Sequence, residues 1–260
     1  MPAPYEQIFL FGDSITQQSY DQERGFGFSA ALQNAYIRKL DVVNRGFSGY
    51  TTRKALKVLP HIIPSPDVAR IRLLVVFFGA NDASLPEAEN HQHVPLDEYK
   101  TNLKTIITDP LVQAHEPKVV LVAPPPINEH LQWATDQTRS LKSVSRKAAT
   151  TKKYAEAAVE LGKELDIPVI NLWQEFMAKA GWKVGEDIPG SLELPQNDAL
   201  VELMHDGLHF NPAGYDVLFR GLMKVIGENW SELLPENLPN MLPLWNDDAG
   251  WKAWEAANKA

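Results

Sequence analysis

The chain has 260 residues, with 25 lysines and arginines against 33 aspartates and glutamates, for a formal net charge of -8. So acidic a balance argues against the phosphate backbone of DNA or RNA as the main partner, because that binding draws on a basic face. There is no cysteine, which excludes disulfides, thiolate metal sites and a cysteine nucleophile, and the length suffices for one large α/β domain with a full core.

The opening residues, Met1-Pro2-Ala3-Pro4-Tyr5-Glu6, carry neither the basic segment nor the apolar run of a signal peptide. No run approaches the roughly 18 apolar residues of a membrane span. The expectation is a soluble, cytoplasmic protein. Ile8-Phe9-Leu10-Phe11, with Gly12 behind it, reads as a short strand buried on both faces that ends in a sharp turn. Ser14 follows at the strand's carboxyl end. If a helix starts there, its hydroxyl stands beside backbone N–H groups that lack intrahelical partners and can bind an anion. That is a position for a nucleophile, and equally the position of an ordinary serine N-cap.

Residues 27–40 set Phe28, Ala31, Leu32, Ala35 and Tyr36 at the spacing of an amphipathic helix. The glycines of Gly25-Phe26-Gly27 look superficially like a dinucleotide loop, but no strand precedes them and that reading is rejected. Residues 41–45 read as a second strand running into Gly46-Phe47-Ser48-Gly49-Tyr50-Thr51-Thr52, whose glycines permit a tight turn or a close backbone approach before a helix near Thr52. The proline-rich stretch 60–66 is expected to end that helix. Residues 71–78 form the strongest strand, almost wholly apolar as a central parallel strand should be. Directly beyond it come Gly79-Ala80-Asn81-Asp82, where an amide can donate to a developing oxyanion, although Asn and Asp are also common turn formers.

Residues 96–109 read as a helix and 118–123 as a fourth strand, stopped by Pro124-Pro125-Pro126. A long polar helix is expected over 138–165, with its basic part, 138–153, as a solvated face. Residues 167–172 read as a fifth strand, at an edge because of Pro168. Strand and helix in alternation specify a parallel sheet with helices on both faces. The last chemical feature is Met204-His205-Asp206-Gly207-Leu208-His209-Phe210-Asn211-Pro212, followed by a helix over 213–230. His205 and His209 are four apart, but Gly207 and Pro212 argue against the helix that a metal pair would need, and no metal is expected. The preferred reading is a loop in which Asp206 orients the imidazole of His209; a turn-capping aspartate and a buried histidine are the plainer alternatives.

A serine needs a base, the base an orienting acceptor, and a tetrahedral intermediate donors for its oxyanion. Ser14, Gly49, Asn81 and the pair Asp206 and His209 supply these parts, and in an open parallel sheet the carboxyl ends of the strands face one crevice. Gly12-Asp13-Ser14, Gly49, Gly79-Ala80-Asn81-Asp82 and Asp206-Gly207-Leu208-His209 resemble the ordered blocks of the SGNH (GDSL) hydrolases over residues 6–228, with Ile15 in place of the leucine. Residues 10–17 and 206–211 look most like the isoamyl acetate-hydrolysing esterases. The resemblance implies a three-layer α/β/α flavodoxin-like fold with a five-stranded parallel sheet and no cofactor. It implies Ser14 as nucleophile, His209 as base and acid, Asp206 as its orienter, and Ser14 N–H, Gly49 N–H and the Asn81 side chain as the oxyanion hole. Asp13 and Asp82 are assigned to loop scaffolding. The expected activity is hydrolysis of short-chain esters, acetates of small alcohols; a thioesterase, lysophospholipase or sugar-ester deacetylase is the alternative, and a non-catalytic subunit of this fold is disfavoured by the intact residues.

The hydrolase domain is expected to cover 1–232. Residues 233–260 form a tail in which Pro235, Pro239 and Pro243 keep the chain extended, and Asp247 or Asp248 caps a short helix carrying Trp251 and Trp254 on one face. So short a helix must dock its tryptophans, on the same subunit or on a partner in a homodimer.

Overall fold

The computed structural model describes residues 5–258. Five strands, β1 (Gln7–Gly12), β2 (Asp41–Gly46), β3 (Ile71–Phe77), β4 (Lys118–Ala123) and β5 (Val169–Asn171), form one sheet in the order β2-β1-β3-β4-β5, every pair parallel. This is the flavodoxin-like order, with the chain reversing its direction of travel between β1 and β3. β3 lies at the centre and buries every side chain except that of Arg72, which pairs with Glu6 at 2.6 Å. β5 lies at an edge, where the missing N–H of Pro168 leaves no central ladder incomplete.

The helices are α1 (Ser14–Gln17), α2 (Phe28–Ala35), α3 (Thr52–Ile62), α4 (Leu96–Thr108), α5 (Pro110–Gln113), α6 (Glu129–Thr138), α7 (Ala148–Leu165), α8 (Leu172–Lys179), α9 (Asp198–Leu203), α10 (Pro212–Asn229) and α11 (Asp248–Ala257). α3, α4 and α7 pack on one another as one layer, and α2, α10 and α8 as the other. Among the described residues no helix is long and apolar enough to cross a membrane.

The structure corrects the sequence reading in two places. The helix expected over 138–165 begins only at Ala148, as α7; residues 139–147 are not helical, and α6, which the sequence reading did not assign, ends at Thr138 just before them. Asp136, in the last turn of α6, accepts the N–H of Ser145 at 3.0 Å and its hydroxyl at 2.8 Å, folding the connection back on itself, while Ser140 takes a left-handed φ of 60°. α3 ends at Ile62, inside the proline-rich stretch expected to stop it, and carries Pro60 in its last turn. The short helices α8 and α9 lie in residues 172–203, a region that the periodicity leaves largely unassigned beyond the fifth strand.

Beyond α10 the chain crosses the end of α2. Leu233 is buried, and its carbonyl accepts the Tyr36 hydroxyl at 2.9 Å. Lys39 donates to the Leu238 carbonyl at 2.8 Å, and Arg38 to the carbonyls of Leu242 and Pro243 at 3.1 and 2.9 Å. Asp247 caps α11 by accepting the Gly250 N–H at 2.8 Å, and α11 buries no residue.

Candidate active site

Ser14 is the first residue of α1, separated from β1 by Asp13 alone. The turn is made by Asp13, whose Oδ1 accepts the Ile15 N–H at 2.9 Å and so caps the helix. Capping through Ile15 leaves the Ser14 N–H at the helix end without that partner. The β2 side closes on the same turn: Gln17 Oε1 accepts the Ser48 N–H at 2.8 Å, and Gly12 O accepts the Phe47 N–H at 2.9 Å. A side chain at Gly46 would stand within the backbone of Thr16 and Gln17, so this approach is open to glycine alone. Gly49, in the same loop, has a φ of 75°, the left-handed region that glycine enters without strain.

Residues 204–210 form a closed loop pinned by an antiparallel bridge between Met204 and Phe210. Within it Asp206 Oδ1 accepts the N–H groups of Leu208 and His209 at 3.0 and 2.8 Å, and Oδ2 faces His209 Nδ1 at 2.6 Å. Burial alone would raise the Asp206 carboxyl, but the ring hydrogen bond, the His209 charge and the two backbone donors outweigh it and hold the group well below the usual carboxylate range. The other ring nitrogen, His209 Nε2, lies 2.8 Å from Ser14 Oγ. A chain of hydrogen bonds thus runs from a carboxylate through an imidazole to a serine hydroxyl, the arrangement that lets imidazole accept a hydroxyl proton while its own charge is stabilised.

Ser14, Gly49, Asn81 and His209 line one cavity of about 250 Å³. Asn81 comes from the loop after β3, whose start Tyr99 holds by donating its hydroxyl to the Phe78 carbonyl at 3.0 Å. Asn81 Nδ2 donates to the Tyr50 carbonyl at 2.9 Å, which leaves one amide hydrogen for a further acceptor. Asp82 Oδ1 accepts the Thr52 N–H and hydroxyl at 2.9 and 2.5 Å, holding the start of α3 against this loop. Burial pushes Asp13 up to about 7 and Asp82 up to about 6, partly offset by those same hydrogen bonds.

His205 is not on a helix with His209. Its ring lies beside that of His209, 5.9 Å between centroids, and its Nε2 stands 3.9 Å from Asp206. Ligand atoms of His205, Asp206 and His209 lie within 4.8 Å of one another. A cation there would have to displace the proton that His209 Nδ1 shares with Asp206.

Among the cavity residues that escape sequence reasoning, two are bonded to the Asn81 and Gly49 loops. Arg146, within the stretch read as a solvated basic face, is 4 % exposed and donates from Nη2 to Asn81 Oδ1 at 3.0 Å and Gln92 Oε1 at 2.9 Å. Gln92 lies in an irregular segment without periodicity. Nothing in the pattern of a basic run tells one buried arginine from its exposed neighbours.

Comparison with known proteins agrees with the geometry. Residues 10–217 match the GDSL-like lipase/acylhydrolase family. A GDSL esterase/lipase of Arabidopsis thaliana is 37% identical, the match covering 91% of each chain. The isoamyl acetate-hydrolyzing esterase of Saccharomyces cerevisiae is 30% identical, covering 94% of this chain and 95% of that one. Among solved structures, the lipase/acylhydrolase from Enterococcus faecalis superposes with a TM-score of 0.59 at 25% identity, covering 90% of this chain and 98% of its own. The acetylxylan esterase Axe2 from Geobacillus stearothermophilus, at 22% identity and a TM-score of 0.58 over 88% of this chain and 97% of that one, shares the fold. The chain belongs to the GDSL-like lipase/acylhydrolase family and is a carboxylic ester hydrolase.

Proposed function

We propose that the protein is a serine esterase that hydrolyses short-chain esters, chiefly acetates of small alcohols, through an acyl-enzyme. The observation that carries this reading is the pair of contacts at His209, 2.8 Å to Ser14 Oγ and 2.6 Å to Asp206 Oδ2, opening on the cavity that Asn81 and Gly49 line. His209 Nε2 takes the hydroxyl proton as Ser14 Oγ bonds to the ester carbonyl carbon. The carbonyl oxygen becomes an oxyanion and is met by the Ser14 N–H, the Gly49 N–H and the free hydrogen of Asn81 Nδ2. Asp206 stabilises the imidazolium. Collapse breaks the bond to the alkoxy group, which leaves as alcohol with the proton from Nε2, and water then repeats the sequence in reverse roles to release the acid.

The small cavity and the name of the yeast relative support a small ester. A second reading, a deacetylase of a hydroxylated alcohol such as a sugar, is favoured by the polar wall of the cavity, where Ser48, Asn90, Gln92 and Arg139 outnumber the apolar Leu141 and Leu208. A chain-length series of p-nitrophenyl esters together with an acetylated sugar separates the two. The first reading expects activity that falls from acetate to longer acyl chains and a poor rate on the sugar ester. Ser14→Ala is expected to lose several orders of magnitude in kcat, and wild-type turnover by that variant overturns both readings.

We also propose that the tail contributes to a homodimer. Supporting this, residues 233–243 are tied to Tyr36, Arg38 and Lys39, just beyond α2 of the same chain, whereas Trp245 is 88% exposed and Leu242, Leu244 and Trp254 are exposed too. A chain ending at Asn237 keeps the buried Leu233 and is expected to show monomer mass by light scattering; an undiminished mass overturns the proposal.

A further inference from the structure

We infer that Arg146 is a positioning residue for the oxyanion hole: through one guanidinium it holds the Asn81 amide directly and, by way of Gln92, the carbonyl of Gly49, which fixes the backbone of that residue from the side opposite its N–H. The inference rests on the reading of Asn81 and Gly49 as oxyanion donors. Arg146 comes from the connection between α6 and α7 and lies buried against the loop after β3. Its Nε donates to the Ala80 carbonyl at 2.7 Å, its Nη1 to Ser145 Oγ at 3.3 Å, and its Nη2 to both Asn81 Oδ1 at 3.0 Å and Gln92 Oε1 at 2.9 Å. Gln92 passes the contact on, since its Nε2 donates to the Gly49 carbonyl at 3.2 Å.

An asparagine amide has two faces of similar shape, and only one orientation presents N–H to an oxyanion. The guanidinium selects it. With Oδ1 against Nη2, Nδ2 must face the Tyr50 carbonyl, at 2.9 Å, and its second hydrogen is left for the cavity. The reversed amide would set donor against donor and carbonyl against carbonyl. A cation on Oδ1 also draws electron density from the amide and makes the remaining N–H a stronger donor. A buried charge is kept only with partners, and here the partners are the oxyanion loop itself, with Asp136 close by through Ser145. Burial lowers Arg146 to about 10, which leaves it charged at neutral pH. The planar fork matters as well as the charge, because a lysine cannot reach Ala80, Asn81 and Gln92 together.

The test is a double-mutant cycle with Arg146→Lys and Asn81→Ala, read as kcat and KM on p-nitrophenyl acetate. Arg146→Lys is expected to lower kcat about 10- to 100-fold, less than the roughly 10²–10³ for outright loss of a donor, with KM little changed. In the Asn81→Ala background the same change should cost no more than about three- to tenfold, the part that runs through Gln92 to Gly49, because the amide it positions directly is gone. A loss that is undiminished in that background, or one that falls on KM, overturns the inference. Gln92→Leu, at a half-buried site, keeps the test available if Arg146→Lys does not fold: kcat should fall about three- to tenfold at constant KM, and an unchanged kcat removes the link to Gly49. Ser14→Ala is the control, since its survival as an active enzyme would remove the underlying reading while an additive cycle beside an inactive Ser14→Ala removes only the role of Arg146.

Discussion

Replacing Asp206 with asparagine exchanges one carboxylate oxygen for an amide nitrogen, and the hydrogen bonds around the side chain dictate which one. Oδ1 accepts two backbone N–H groups, of Leu208 and His209, at 3.0 and 2.8 Å, while Oδ2 faces only His209 Nδ1 at 2.6 Å. Asparagine therefore keeps its oxygen under the two backbone donors; the reverse orientation would forfeit both bonds, at roughly 0.5–1.5 kcal/mol each, and set N–H against N–H. Its nitrogen then donates to His209 Nδ1, which must be unprotonated. The ring proton moves to Nε2 and points at Ser14 Oγ, 2.8 Å away. A ring in that tautomer donates to the serine where it should accept from it. The expected loss is about 10⁴ in kcat, roughly 5.4 kcal/mol of transition-state stabilisation, with the fold intact. Steady-state hydrolysis of p-nitrophenyl acetate measures the loss, and circular dichroism confirms folding. A kcat within about tenfold of wild type would show that another group orients His209, and the tautomer argument would be lost.

Asn81→Ala is expected to cost about 10²–10³ in kcat, or roughly 3–4 kcal/mol, with KM little changed; a raised KM at constant kcat would instead make Asn81 a ground-state binding residue. The Asp13 carboxyl, raised by burial from 3.8 to about 7 and with Oδ2 unpartnered, bears on stability. Because the folded protein holds this proton over a range in which the unfolded chain releases it, stability falls as pH rises from about 4 to about 7 and stays lower above that. Asp13→Asn keeps an acceptor for the Ile15 N–H and removes the titration, so its Tm should exceed that of wild type at pH 8 and the gap should close near pH 4. A gap of the same size at both pH values would place the effect elsewhere.

The strands and the chemically marked turns were legible because their signals are local. A wholly apolar run such as residues 73–77 fits best between two other strands, and the order of alternating strands and helices leaves a parallel sheet as its consequence. Asp206 and His209 are three residues apart, so their meeting is a matter of loop geometry that Gly207 and Pro212 already suggest. Ser14 and His209 are 195 residues apart, and their approach to 2.8 Å depends on parallel register bringing every strand's carboxyl end to one rim.

What the chain could not reveal follows from the same distinction. The break between α6 and α7 depends on Asp136 reaching Ser145, a capture that helix periodicity does not register. Arg146 reads as one more positive charge in a basic run, because burial is decided by Ala80 and Asn81, 66 and 65 residues away. Covalent neighbours set propensity, period and turn, and these are written along the chain. Which charges leave water is set by groups that only the folded sheet brings together, since a guanidinium is buried where enough acceptors converge on it and nowhere else.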